Sequence, residues 1–177
     1  MHTRLNVGAV VILVSVSVPS AQSMPPGMTH ERHHHKTQKE AQLKKHGLAA
    51  MGFDQDASVH HFRLYADGGA IEVEARTPAD EVMRSAIRAH LRRIADDFAH
   101  GDFAKPFETH GEMPPGVADI VRLRGSMTYR YQETPAGGRV RITTANSKAL
   151  SAVHLFLRYQ IGEHGTGDSQ GVTKSRM

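Results

Sequence analysis

Between residues 60 and 65 the chain alternates. His60, Phe62 and Leu64 fall on one face and His61, Arg63 and Tyr65 on the other, the period of two expected of a half-buried strand. Beyond Gly68-Gly69, Ile71, Val73 and Ala75 alternate with Glu72, Glu74 and Arg76. A hairpin turning at the glycine pair sets Leu64 opposite Ile71 and Phe62 opposite Val73. It also brings Arg63 to Glu72 and His61 to Glu74 as favourable cross-strand pairs. The period then changes. Val82, Ile87, Leu91, Ile94, Ala95 and Phe98 form a helical stripe, with Thr77 as the expected N-cap and Pro78 at the first helical position.

The same succession returns downstream. Tyr129 and Tyr131, then Gly137-Gly138, then Val140, Ile142 and Thr144 predict a second hairpin, and Leu150, Val153, Leu157 and Ile161 a second helix starting near Asn146. Ser85-Ala-Ile-Arg-Ala-His-Leu-Arg aligns with Ser151-Ala-Val-His-Leu-Phe-Leu-Arg at a spacing of 66 residues, and Gly101-Asp102 with Gly167-Asp168. One such unit cannot bury its apolar layer alone, whereas two can share a core. The predicted fold is α+β: two pseudo-repeated ββα units, 51–105 and 117–168, making a four-stranded antiparallel sheet with helices packed on one face. Between the units, Pro106 to Pro115 reads as a loop and Val117 to Arg124 as a short helix.

Residues 1–23 have the layout of a secretory signal peptide: His2 and Arg4, an apolar run from Val7 to Val18, and Ala21-Gln22-Ser23 before Met24. The run is shorter than the roughly 20 residues that span a bilayer. The mature chain is expected to be periplasmic or secreted, with no membrane association after cleavage. Residues 24–50 form a His/Met/Lys-rich leader, helical or disordered, and 169–177 a disordered tail.

Charge changes little in this picture. The chain carries a formal +4, but Arg32, Lys36, Lys39, Lys44 and Lys45 against Glu31 and Glu40 give the leader +3, and Lys174 and Arg176 give the tail +2. The body from 47 to 168 is slightly acidic, with 14 basic and 16 acidic residues. A nucleic-acid surface concentrates basic residues on a folded face, so no nucleic-acid partner is expected. The absence of Cys excludes disulfides, thiolate metal sites and Cys nucleophiles.

Histidine is what calls for chemistry, with 13 residues. In the leader, His30 and His34, or His30 and His33, lie one helical turn apart, and Met28 adds a thioether suited to Cu(I). In the body, His60 faces the core while His61 faces away. His164 takes the stripe position that Phe98 holds in the first unit, and a polar ring there requires a partner or ligand. His154 stands where the first unit has Arg88. His60, His61, His154, His164 and Asp168 are therefore the candidate body metal site, for copper or zinc. His46, His100 and His164 each precede a glycine at a helix end, where a cation and a left-handed residue are ordinary capping chemistry. His110 and Glu112 in the inter-unit loop are lesser candidates. Asp54 and Asp56 lack an EF-hand continuation, and the paired acids Asp96 and Asp97 read as a solvated helix face. No nucleophile elbow, P-loop, dinucleotide fingerprint or His-Glu-x-x-His pair is present.

Met51-Gly-Phe-Asp-Gln-Asp56, His60-His61-Phe62, Gly101-Asp102-Phe103, Pro114-Pro-Gly-Val117 and His154-x-Phe-Leu-Arg-Tyr-Gln-Ile161 through His164-x-Thr-Gly-Asp168 together look like a group of exported bacterial proteins of unknown function. The likeness covers about residues 24–168. Similar sequences are sometimes labelled aspartate carbamoyltransferase, but this chain lacks the Ser-Thr-Arg-Thr phosphate motif and is about half the length of that catalytic chain. The resemblance implies export and no particular activity. The expectation is a non-catalytic metal-binding or metal-handling protein. The alternatives are a metal-free module binding a small molecule or protein, and a hydrolase using metal-bound water with Glu112 or Asp168 assisting.

Overall fold

The computed structural model describes residues 48–49 and 51–174. The expected signal peptide and the leader candidates Met28, His30, His33 and His34 lie outside the described residues. Four strands, β1 (Ser58–Tyr65), β2 (Gly68–Ala75), β3 (Met127–Thr134) and β4 (Gly137–Thr144), form one antiparallel sheet in the order β1-β2-β4-β3. Among the described residues the sheet is accompanied by helices α1 (Glu81–His100), α2 (Ala104–His110), α3 (Val117–Leu123) and α4 (Ser147–His164). The α+β class is as expected from the periodicities. Alternate strand residues, among them Phe62, Leu64, Ile71, Val73, Val140 and Ile142, share one buried cluster with Ile87, Leu91 and Phe98 of α1 and Phe156, Leu157 and Ile161 of α4.

Three local expectations are corrected. The first hairpin turns at Ala66-Asp67, so that Phe62 faces Ile71, His60 faces Val73, His61 faces Glu72 and Arg63 faces Ala70. A shift of two residues leaves every side chain on its expected face but changes its partner. The glycine pair opens β2 instead of forming the turn. A Cβ on Gly69 would fall onto Leu157 Cδ1 and the Arg63 carbonyl, so glycine here lets α4 approach the sheet. Gly69→Ala is expected to cost about 1–3 kcal/mol, read as a lower urea midpoint at unchanged slope; an unchanged midpoint would refute this account of the glycine.

Secondly, α1 begins at Glu81, with the Asp80 side chain accepting from the Met83 N–H at 2.9 Å. Asp outcompetes the Thr77-Pro78 signal because its carboxylate reaches an unpaired first-turn donor and complements the helix dipole. Val82 is consequently exposed. Thirdly, Pro106 does not keep 106–115 in a loop. It sits in the first turn of α2, where a missing N–H leaves no helical bond unmade.

The two hairpins are related through the β2–β4 pairing. Ile71 faces Val140, Gly69 faces Ile142 and Val73 faces Gly138, a register unchanged when the hairpins are exchanged. Each long helix packs mainly on the other hairpin, α1 on β3 and β4, and α4 on β1 and β2. The helix side chains make matching contacts. Arg88 donates to the carbonyls of Thr134 and Gly137 at 2.9 and 3.1 Å. His154 Nε2 lies 2.9 and 3.0 Å from the carbonyls of Tyr65 and Gly68, the same two positions of the first hairpin. Of the tail expected to be disordered, residues 169–174 are described. There Thr173 bridges in parallel to Tyr65, its N–H donating to Leu64 O and its carbonyl accepting from Ala66 N–H, both at 3.0 Å.

Candidate functional site

Four histidines from four different elements line one cavity of about 70 Å³. His60 points inward from β1 because it shares a face with Phe62 and Leu64. His164 is the last residue of α4, beyond Gln160 and Ile161, before Gly165 ends the helix in the left-handed region at φ 58°. His90 flanks the α1 stripe, three residues after Ile87 and four before Ile94. His110 closes α2, with Gly111 in the left-handed region at φ 72°.

His164 is at the centre of the group. Its ring stacks on His60, with centroids 5.6 Å apart and planes 13° from parallel. It meets the edge of His110 at 5.1 Å and packs on Phe62 at 5.4 Å. Phe53 lies against both His60 and His90. His110 Nε2 is 3.0 Å from Gln160 Oε1. The amide oxygen only accepts, so His110 donates from Nε2. His60 Nε2 and Gln160 Nε2 are buried and have no hydrogen-bond partner among the described residues. A buried polar atom left this way marks either a cost in stability or the place of a ligand.

Three of these imidazoles, those of His60, His90 and His164, are held neutral. Burial, followed by the charges of His90 and His61, lowers the pKa of His60 to about 4. Burial, then Lys105 and Arg93, does the same for His90, also to about 4. His164 falls to about 3 through burial and then the proximity of His60 and His110. None of the lining residues is acidic, and Lys105 brings the one formal charge. At pH 7 the cavity offers neutral nitrogen lone pairs within a largely apolar wall.

The structure thus brings His60 and His164 together and places the other sequence candidates elsewhere. His154 lies under the first hairpin and spends Nε2 on two carbonyls. His61, on the opposite face of β1, holds Asp168 Oδ1 at 2.9 Å. Asp168 also accepts from Arg63 at 2.8 Å, from the Phe62 N–H at 3.0 Å and from the Thr166 hydroxyl at 2.7 Å. Its carboxylate therefore seals the free edge of β1. Glu112 accepts from the Tyr159 hydroxyl at 2.8 Å. Burial, together with that bond, pushes the Tyr159 pKa up.

Sequence reasoning passed over His90 and Gln160 and underrated His110. For His90 the signal was available, since its spacing from Ile87 and Ile94 puts it at the edge of the buried stripe. Among the described residues no three or more of His, Asp and Glu are assembled as a ready metal-binding group, and no helix is long and apolar enough to cross a membrane. No family model, curated protein or solved structure matches the chain.

Proposed function

We propose that this is an exported, non-catalytic metal-binding protein that takes copper or zinc on the imidazoles of His60, His164 and His110. The observation that carries the reading is the unpartnered, buried His60 Nε2 beside the neutral ring of His164, which His110 meets in turn. Spacing supports it. Two imidazoles on one ion, each with a metal–nitrogen bond of about 2.0–2.1 Å, put their ring centroids about 5 Å apart. The pairs here stand at 5.6 and 5.1 Å, so rotation of the rings about their own side-chain bonds is what binding requires. Size supports it as well. A cavity of about 70 Å³ suits an ion with its ligands or a few-atom molecule, far below the roughly 300–1,000 Å³ of a cofactor site. In this reading His30, His33, His34 and Met28 form an outer acquisition site on the leader.

The two ββα units are read as a duplicated pair, on the symmetric β2–β4 register and the matching Arg88 and His154 contacts. A second reading, a metal-free module for a small neutral molecule, is favoured by the near-parallel stacking of His60 on His164 and by the apolar wall. Hydrolysis is not included, because Glu112 is engaged by Tyr159 and Asp168 by the edge of β1.

Calorimetric titration of the purified protein with Cu(I), Cu(II) and Zn(II) tests the proposal. Sub-micromolar binding that weakens roughly 100-fold in His60→Gln or His164→Gln is expected, in line with loss of a metal ligand. Failure of all three ions to bind would leave the metal-free module. Affinity lost only on deletion of residues 24–46 would move the site to the leader.

A further inference from the structure

The donors around the cavity differ in kind from those of a divalent-ion site. The nitrogens able to act as ligands belong to imidazoles and to the Gln160 amide, and none of the lining residues is a carboxylate. Asp168 is tied to His61, Arg63, Phe62 and Thr166, and Glu112 to Tyr159. Lys105, which lines the cavity, turns its ammonium to Glu108 at 2.8 Å, yet still adds positive potential. Taking an ion into such a place costs desolvation free energy that rises with the square of its charge. A divalent ion therefore pays about four times the penalty of a monovalent one, with no anionic ligand to offset it. A soft donor stands at the same cavity, since Met51 is among the residues that line it. Thioether sulfur selects Cu(I) over Zn(II) and Cu(II).

We propose that the ion taken by this cavity is monovalent copper, held by His60 and His164 with Met51 as the soft ligand. The inference rests on the reading of the cavity as a metal site and adds which ion it selects. Two or three neutral ligands satisfy Cu(I), whereas Zn(II) in a protein looks for four ligands and a compensating charge. Binding moves no electrons: copper enters and leaves in the same oxidation state.

The test is anaerobic competition of the full chain against bicinchoninate for Cu(I), beside parallel titrations with Zn(II) and Cu(II). X-ray absorption of the copper-loaded protein supplies a readout independent of any variant. We expect one Cu(I) in the cavity, apart from any held by the leader, bound at least roughly 100-fold more tightly than Zn(II), with nitrogen and one sulfur in its shell. Met51→Leu, which conserves volume, should remove the sulfur signal and weaken Cu(I) about 10-fold, leaving Zn(II) unchanged. Zn(II) bound through His60 and His164 as tightly as Cu(I) would overturn the choice of ion while keeping the metal site. A copper shell without sulfur, or Cu(I) affinity indifferent to Met51→Leu, would overturn the ligand set. No binding of any ion would overturn the metal reading itself.

Discussion

Acidification from pH 6.5 to pH 4 is expected to remove most of the stability of the metal-free protein. Folding holds His60 and His90 at about pKa 4 and His164 at about 3, against 6.5 for a free imidazole. Depressed histidines leave stability intact above pH 6.5, where both states are neutral. Below that the unfolded chain binds protons that the folded one refuses, and stability falls until the folded pKa values are reached. Each group held neutral costs about 1.4 kcal/mol per pH unit, so the three together cost up to about 4 kcal/mol per unit. A domain with roughly 5–15 kcal/mol in hand then unfolds, or opens at this end, well before pH 4. The neighbours give no relief. His60 is stacked by His164 from α4 and feels the charges of His90 on α1 and of His61 on the far face of its own strand. His164 faces His60 and His110, and His90 faces Lys105 and Arg93. None of these neighbours is an acid, and burial is the largest cause in each case. Urea unfolding at a series of pH values measures the slope. His164→Phe, which installs the ring that α1 carries as Phe98, should make it shallower by about 1.4 kcal/mol per unit. Stability that stays flat between pH 6.5 and 4.5 would show that these rings accept protons without leaving the core.

The fold was legible where one periodicity governs a whole element. The alternation of 60–65 and 71–76 identified β1 and β2, and the stripe through Ile87, Leu91, Ile94 and Phe98 identified the body of α1. Boundaries and pairings were less legible because they depend on single close contacts. The two-residue error in the first hairpin came from treating Gly68-Gly69 as a turn, when Gly69 is required by Leu157, a residue 88 positions away. The site was half legible. His60 could be oriented from its strand, and His164 from its alignment with Phe98. His110 could not, because Pro106 argued for a loop, and only as the last residue of α2 does its ring meet His164. His154 misled for an instructive reason. Its alignment with Arg88 drew it into the candidate site, but the partners that satisfy it are backbone carbonyls of the other hairpin, which side-chain spacing does not reveal.

Asp168→Ala is expected to destabilise the protein by about 2–4 kcal/mol and to release the segment that follows α4. The carboxylate is 4% exposed and is bonded by the Arg63 guanidinium, the His61 ring, the Thr166 hydroxyl and the Phe62 N–H. Burial alone would raise its pKa. The donors from Phe62, Thr166 and His61, with the charge of Arg63, outweigh burial and lower it. A carboxylate of this kind contributes stability above its ordinary value of 3.8 and loses it as pH falls through the lower folded value. This loss therefore begins where that of the histidines is ending. Removing the carboxylate leaves the buried Phe62 N–H unmet, at about 1–3 kcal/mol. Arg63 and His61, 40% and 32% exposed, recover part of their hydration, which holds the total below that of a fully buried pair. The consequence is local. Thr166 and Asp168 tether the chain that carries Thr173 to Leu64 and Ala66, so their release uncovers the outer edge of β1, and an uncovered edge invites pairing with another chain. Hydrogen exchange at Phe62 and Ala66 should rise at least about 10-fold in the variant, with a lower urea midpoint and concentration-dependent aggregation. Exchange confined to residues 169–174, with Phe62 still protected, would show that the edge of β1 is held by something other than this carboxylate.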